Sequence, residues 1–333
     1  MFSGYNLELS EEFFKNSEQN FNHYKRIGID HLKGQVDIYK KELEKFIIND
    51  EIDGNKLQNE FFPKIEADIF ISHSHADRDL ANALAGWLNE TFGLKVFIDS
   101  NVWSCSDDLL EEINSRYSDK REGHDCGYIY NHEKCNRASQ HVNMMLSVAL
   151  QQMIDEVECV ILLNTDQSIN VFEKQKKQFN ATYSPWIYLE MICTQIVRKK
   201  PLLLYRNYPA SIMESSDLLH FSYSMNLKIF YNISLDHLTY LNENKLIKWE
   251  ETFCSDSDKY SDYPLDALYS FTHSEELENT KKIYEKCCPE QIKCLKSHIK
   301  VGEYRQNQRC NAEFNIYCEK CKFLKSITNR REF

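Results

Sequence analysis

The sequence predicts an α/β protein whose core is a doubly wound sheet of five parallel strands. Two observations lead to this class. Short, continuous apolar runs of strand length recur between residues 66 and 231, as in strands that are covered on both faces. Amphipathic segments with helical periodicity separate these runs, and repeated strand-helix alternation produces a parallel sheet with right-handed crossovers.

The apolar runs define the predicted elements of the sheet. The predicted strands are 67–72, 95–99, 159–164, 201–205 and 227–231. The predicted helices beside them are 80–88, 142–154, 186–197 and 235–253. This number of strands fits a flavodoxin-like domain, which we assign to residues 63–253.

The flanking regions carry no strand pattern. Residues 1–62 are predicted to be a helical N-terminal extension, because apolar residues from Leu7 to Phe14 and from Phe21 to Ile48 recur at intervals of three and four. Residues 254–333 are predicted to be a basic, Cys-rich helical C-terminal region. A polar insert at 104–140 interrupts the domain, and long inserts on such scaffolds are commonly functional.

The charge is unevenly distributed along the chain. Its 333 residues include 40 basic and 51 acidic side chains, a net charge of −11. Residues 281–333 hold 13 Lys and Arg against 6 Asp and Glu, so the preceding 280 residues carry 27 − 45 = −18. An acidic body disfavours nucleic-acid binding, which needs a basic face. Without a long apolar run or a signal-peptide pattern, we expect a cytoplasmic protein with no membrane association.

The cysteines form a second uneven distribution. Seven of the twelve follow residue 253, and Cys318 and Cys321 have Cys-x-x-Cys spacing with Cys310 upstream. In a cytoplasmic protein these residues are either ligands of a structural zinc ion or ordinary reduced thiols. The spacing leaves both interpretations open.

Polar residues cluster where the predicted strands end. Ligands of open α/β sheets bind beyond the carboxyl ends of the strands. The residues at these ends are Ser72, His73, Ser74, His75 and Asp77 after the first strand, Asp99, Ser100 and Trp103 after the second, and Asn164 and Thr165 after the third.

The helix that begins near residue 185 adds two further candidates. Ser184 is predicted to cap it and Pro185 to occupy its first position, so that Trp186 and Glu190, four residues apart, share one face. A carboxylate beside a large aromatic ring is suited to holding sugar hydroxyls or stabilising a developing cation. The alternative is that Trp186 is a core residue and Glu190 a surface acid.

Three motifs occur in order along the predicted domain. Residues 68–77 read Asp-Ile-Phe-Ile-Ser-His-Ser-His-Ala-Asp, residues 96–99 read Val-Phe-Ile-Asp, and Ser184-Pro185-Trp186 precedes Glu190 by one helical turn. They resemble the first strand and loop, the second strand and the Trp-x-x-x-Glu helix of Toll/interleukin-1 receptor (TIR) domains, in particular the bacterial NAD-cleaving type.

This resemblance implies an NAD+ glycohydrolase or ADP-ribose cyclase with NAD+ as substrate and no resident cofactor. It assigns Glu190 as the catalytic residue at the ribose. The residues it assigns to substrate binding are Trp186, Ser74, His75, Trp103, Asp99 and Ser72. It also implies homo-oligomerisation through the TIR domain and a role in bacterial anti-phage defence or signalling, with a partner protein or effector as a further possibility.

Two other functions fit parts of the same sequence. Many TIR domains are adaptors that bind partners without cleaving NAD+, and the motifs do not separate an adaptor from an enzyme. His73, His75 and Asp77 also resemble the start of a zinc-hydrolase motif, although Arg78 occupies the position where that motif has another histidine.

Overall fold

A computed structural model describes residues 1–15, 20–33, 46–48, 51–99, 106–122, 128–174, 177–206 and 229–286. The chain divides into two compact units, one of residues 1–199 and 212–250, the other of residues 200–211 and 251–333. None of the described helices has the length and apolar character needed to cross a membrane.

The described residues form twelve strands and eleven α-helices. The strands are β1 Ser3–Glu8, β2 Ile47–Ile48, β3 Glu51–Ile52, β4 Ile69–Ser72, β5 Val96–Phe97, β6 Arg121–Glu122, β7 Tyr128–Ile129, β8 Cys159–Leu163, β9 Asn170–Lys174, β10 Lys177–Thr182, β11 Tyr231–Asn232 and β12 Thr239–Asn242. The helices are α1 Glu12–Lys15, α2 Phe21–Lys33, α3 Gly54–Phe61, α4 Arg78–Phe92, α5 Ser106–Tyr117, α6 His132–Glu156, α7 Pro185–Ile196, α8 Glu243–Ser255, α9 Ser257–Tyr260, α10 Leu265–Thr272 and α11 Ser274–Lys286.

The main sheet confirms the predicted α/β class. Its five strands are all parallel and lie in the order β12-β1-β8-β4-β5. This arrangement is compatible with a flavodoxin-like fold, whose strand order is 2-1-3-4-5. Here β5, β4 and β8 occupy the 2-1-3 positions, and the N-terminal β1 occupies the fourth.

The prediction of a wholly helical N-terminal extension is wrong at residues 47–48 and 51–52, which form the antiparallel pair β2 and β3, and above all at residues 3–8. Residues 3–8 form β1, an interior strand that pairs with β8 on one side and β12 on the other. The alternation of Tyr5, Leu7 and Leu9 suits a strand, but Leu7 also begins the three- and four-residue intervals that predict a helix from Leu7 to Phe14. Because Tyr5 and Leu7 are fully buried, the strand belongs to the core of the first unit.

Three further predicted elements differ from the structure. Residues 202–205 form a 3-10 helix and not a strand, since a short apolar run has no periodicity that separates the two. Of the predicted strand 227–231, the part after residue 228 is described, and Tyr231 begins β11 in a three-stranded antiparallel sheet with β10 and β9. The helix predicted from residue 235 begins at Glu243, because residues 239–242 pair with β1 as β12.

Both faces of the parallel sheet are buried at β8, β4 and β5. Phe70, Phe97 and Val160 on one face pack into a cluster with the apolar side of α6, and Leu162 packs against Ile187 of α7. The alternate residues, which include Ile69, Ile71 and Ile161, point to the other face and are fully buried as well. A doubly covered sheet explains why the strands read as continuous apolar runs.

The insert at 104–140 contributes to this core. Its helix α5 buries Leu109 and Ile113 in the cluster that contains Phe70 and the apolar side of α6. Helix α6 begins at His132, ten residues before the predicted start, where Asn131 caps it by accepting a hydrogen bond from the Lys134 amide at 3.1 Å. The described part of the insert therefore contributes apolar side chains to the hydrophobic core, although its sequence is mostly polar.

The second unit contains a buried ion pair. Arg206 is 4% exposed, and its guanidinium donates from Nε to Asp266 Oδ1 at 3.1 Å. The same group lies 4.6 Å from the centroid of the Tyr263 ring. Since an unpaired charge at such a site is costly, removal of either partner alone would destabilise this unit.

Helices α2 and α4 of the first unit cross at two glycines. A Cβ atom at Gly28 would lie 1.9 Å from the Asn82 carbonyl oxygen, and one at Gly86 would lie 1.9 Å from the Tyr24 carbonyl oxygen. Both neighbours are backbone atoms of the facing helix, so neither can rotate away. The two helices approach this closely only because no side chain separates them.

We therefore expect Gly28→Ala and Gly86→Ala each to reduce the free energy of unfolding by about 1–3 kcal/mol, the usual cost of overpacking. Urea denaturation followed by circular dichroism measures this change. The matched control is Gly54→Ala, whose Cβ would make an ordinary 3.6 Å contact with Met145 Cε and should stay within about 1 kcal/mol of the wild type. An equal effect of all three substitutions would contradict the close crossing.

Candidate active site

Helix α7 begins as the sequence predicted. The Ser184 hydroxyl oxygen accepts a hydrogen bond from the Ile187 amide at 3.2 Å, and Pro185 occupies the first helical position. Thr182, at the end of β10, accepts from the Ser184 amide at 3.1 Å. These local bonds fix the start of the helix and therefore the position of Glu190 within it.

Glu190 and Ser72 form the centre of the site. The Ser72 hydroxyl at the end of β4 donates to Glu190 Oε2 at 2.5 Å, across 118 residues of sequence. Glu190 is 2% exposed and Ser72 is fully buried. Glu190 is therefore not a surface acid, and its carboxyl group is joined directly to the carboxyl end of a central strand.

The electrostatic environment of Glu190 opposes its ionisation. Burial, followed by the negative charge of Asp99, raises the pKa of the Glu190 carboxyl well above its usual range, while the hydrogen bond from Ser72 acts in the opposite direction. Asp99 follows β5, the neighbour of β4, and is half-buried. Ser72 at the end of β4 and Asp99 after β5 thus both affect the pKa of the Glu190 carboxyl group.

Cys193 lies one turn beyond Glu190 and is buried in the apolar cluster. Burial and the nearby Glu190 raise the pKa of its thiol to about 11. The thiol is protonated at neutral pH, which makes Cys193 a packing residue and a poor nucleophile.

The loop between β4 and α4 contains the other residues predicted after the first strand. Ser74 is half-buried and accepts a hydrogen bond from the Ala76 amide at 3.2 Å, while His75 is exposed. Asp77 accepts a 2.6 Å hydrogen bond from the Thr165 hydroxyl in the loop after β8. Burial raises the pKa of Asp77, and the bond from Thr165 opposes this effect.

His73 differs from its exposed neighbour His75. It is 8% exposed, and burial lowers the pKa of its imidazole to about 4, although the nearby Asp77 acts in the opposite direction. Its imidazole is therefore neutral at physiological pH.

Trp186 is half-buried and packs against the apolar cluster that contains Phe70 and Phe97. It lies one turn before Glu190, at the start of the same helix. Trp103, predicted as a substrate contact, lies outside the described residues, as do the possible zinc ligands Cys310, Cys318 and Cys321. Within the described part of the chain, no three His, Cys, Asp or Glu side chains lie together as a metal site.

Asn6 is a further polar residue on the sheet face of Ser72, and it is absent from the predicted site because no strand is predicted at residues 3–8. Asn6 of β1 pairs with Leu162, which pairs in turn with Ser72, so the three residues lie in one row across the sheet. Its Oδ1 atom is buried and receives no hydrogen bond from the described residues. The period-2 alternation of Tyr5, Leu7 and Leu9 is the sequence signal that could have revealed it.

Comparisons with models of known protein families, with curated proteins and with solved structures gave no match to this chain.

The site holds two carboxyl groups at a buried sheet edge, where a nearby positive charge would favour ionisation of Glu190. Glu190 is held by one hydrogen bond at a sheet edge, and a second carboxylate acts on it from Asp99. Such a pair favours a bound cation or a group that becomes positive during a reaction, because attraction between charges is strongest where water is excluded.

The buried carboxyl group should make the folded protein less stable as the pH rises. Since the pKa of Glu190 is raised in the folded state, folding takes up a proton above the unfolded pKa of about 4.3. The stability present at acid pH is then lost as the pH rises through the folded pKa. We expect Glu190→Gln, which retains an acceptor for Ser72, to raise the melting temperature at neutral pH and to have a much smaller effect near pH 4.

Thermal denaturation between pH 4 and 8 measures this difference. The control is Glu251→Gln, which neutralises an exposed acid of α8 and should leave the melting temperature nearly unchanged at each pH. A Glu190→Gln protein that melts below the wild type at neutral pH would contradict the unfavourable burial of this charge.

Proposed function

We propose that the chain is an NAD+ nucleosidase of the TIR type, which cleaves the bond between nicotinamide and ribose. The observation that carries the proposal is the buried Glu190 carboxyl group at the carboxyl edge of the sheet, bonded to Ser72 and acted on by Asp99. Packing does not require such a group, and a carboxylate with a strongly perturbed pKa at this position is typical of a functional site.

The three TIR-like segments support the same proposal. They lie on β4 and its following loop, on β5 with Asp99, and at the start of α7. Two of them meet in the Ser72–Glu190 hydrogen bond, and the third acts on Glu190 through the charge of Asp99. The residues that the resemblance singles out for chemistry are therefore coupled to one another.

The proposed reaction needs charge stabilisation more than proton transfer. Nicotinamide leaves NAD+ as a neutral pyridine, and the ribose becomes an oxocarbenium-like cation that a carboxylate stabilises. Glu190 contacts the ribose hydroxyls, Ser72 orients its carboxylate, and Asp99 adds a second negative charge. Nicotinamide keeps the electron pair of the broken bond, and water, which releases a proton, or the adenine end of the nucleotide forms the new bond to the ribose carbon, which gives ADP-ribose or a cyclic isomer.

The substrate itself favours the reactive form of the site. In the free protein the raised pKa of Glu190 favours the neutral acid. The nicotinamide ring of NAD+ carries a positive charge, and an opposite charge nearby lowers the pKa of a carboxyl group. Binding of NAD+ therefore promotes loss of the Glu190 proton, so that the carboxylate forms where the ribosyl cation will develop.

The remaining assignments follow the TIR resemblance. Trp186 and Trp103 line the site of the nicotinamide and the ribose, and Ser74 and His75 contact the nucleotide from the β4–α4 loop. Self-association of several copies and a role in bacterial anti-phage defence or signalling belong to the same proposal.

The first test is nicotinamide release from NAD+, followed by chromatography of the products. We expect the wild type to release nicotinamide and Glu190→Gln to be slower by about 100-fold or more, the usual effect of removing one electrostatic group from a transition state. Glu251→Gln, which neutralises an exposed acid, should retain wild-type activity.

Two results would overturn this assignment. A wild type that neither binds nor cleaves NAD+ at high concentration favours the non-catalytic adaptor instead. Nicotinamide release that is unchanged in Glu190→Gln would place the reaction at another residue. The product peak distinguishes hydrolysis from cyclisation in either active case.

The second test uses the charge of Asp99. Because Asp99 raises the pKa of Glu190, Asp99→Asn should lower it, so the acid limb of the kcat/KM profile should move to lower pH. A profile measured from pH 4 to 9 gives the midpoint, whatever the change in absolute rate. The exposed Asp262→Asn is the control and should leave the midpoint in place, whereas a shift of the Asp99→Asn midpoint to higher pH would contradict the coupling.

A further inference from the structure

The loop that joins β4 to α4 is held at both ends by side chains from distant parts of the sequence. At its start, Ser72 is bonded to Glu190 of α7. At its end, Asp77 accepts the hydrogen bond from Thr165 at 2.6 Å, across 88 residues. In the middle, Ser74 fixes a single 3-10 turn, with the Asp77 amide donating to the Ser74 carbonyl oxygen at 2.8 Å.

The Asp77 side chain bonds to a distant loop although its position would allow it to cap its own helix. Asp77 occupies the position before α4, where an aspartate commonly caps the first turn of its own helix. Its side chain makes no such capping bond and accepts from Thr165 instead. The carboxylate therefore joins two loops of the sheet edge and does not stabilise the helix locally.

Thr165 is itself held in place. Its amide donates to the Ser168 hydroxyl oxygen at 2.9 Å, and Ser168, which is 1% exposed, donates to the Leu163 carbonyl oxygen at 2.8 Å. The loop after β8 is thus a fixed structure that presents the Thr165 hydroxyl group to Asp77. Two neighbouring strands of the sheet, β4 and β8, carry the two partners.

Between these anchors, His75 and Ala76 are exposed. Together with the half-buried Ser74, they are the part of the loop that a ligand at the sheet edge can reach. We propose that the Asp77–Thr165 hydrogen bond is a positioning contact that holds the His75 turn in the geometry required to bind the substrate nucleotide. This inference rests on the proposed NAD+ nucleosidase function and assigns Asp77 and Thr165 to substrate affinity, separate from the bond-breaking role of Glu190.

The decisive variant is Thr165→Val, which keeps the shape of the side chain and removes the hydroxyl group, both as donor to Asp77 and as acceptor from the Gln167 amide at 3.1 Å. We expect the KM for NAD+ to rise by about tenfold, in line with the loss of one hydrogen bond to a charged group, while kcat stays within about twofold of the wild type. Thr165→Ser and Asp77→Asn retain a donor and an acceptor respectively, and both should keep KM close to the wild-type value.

The matched control is Thr280→Val, which removes a buried hydroxyl group that bonds within its own helix to the Glu276 carbonyl oxygen at 2.8 Å. It should leave KM and kcat unchanged. The melting temperature shows whether the Thr165→Val protein folds. If it does not fold, the same measurement is made with Thr165→Ala. A structural role alone would change melting temperature and active fraction without changing KM in the folded protein.

The outcomes separate this inference from the function on which it rests. An active wild type whose KM is unchanged by Thr165→Val overturns the positioning role and leaves the nucleosidase intact. A fall in kcat with KM unchanged also overturns it, because the contact would then act on the chemical step. A wild type that neither cleaves nor binds NAD+ overturns the proposed function and this inference together.

Discussion

The pairing of the N-terminal strand β1 with β8 and β12 is the constraint on which the rest of the first unit depends. Strand β8 belongs to the β4–β5–β8 part of the sheet, whereas β12 comes from residues 239–242. β1 lies between them and provides the backbone hydrogen bonds that both require, since an interior strand leaves no polar backbone group unpaired. The sheet that carries the candidate site is therefore complete only when strands from opposite ends of this unit pair with one another.

Within that sheet, the candidate site combines stable elements with one unfavourable group. The Ser184 cap and Pro185 favour helix α7 locally, and the apolar residues around Glu190 pack into the core. Glu190 is buried among them, where its charge is disfavoured by burial and by Asp99. A buried carboxyl group whose pKa is raised in a well-packed core is typical of a functional site.

Two side-chain hydrogen bonds at the sheet edge have different structural roles. The Ser72–Glu190 bond brings a strand end and a helix together at the proposed point of chemistry, and the Asp77–Thr165 bond joins the two neighbouring loops. Both are long-range bonds between side chains that lie far apart in the sequence. The site is therefore built by the parallel sheet itself, which aligns the ends of β4, β5 and β8 at one edge.

Local apolar runs and capping residues were enough to predict the α/β class, three of the five sheet strands, the start of α7 and the polar residues at the strand ends. That residues 3–8 are an interior strand, that 202–205 are a 3-10 helix and that β12 precedes α8 followed only from the folded structure. Short apolar segments fit either conformation, and the choice between them depends on strand partners far away in the chain. The same reason explains why Glu190 could be singled out as a candidate from its spacing, whereas its burial and its bond to Ser72 could not be derived before the fold was known.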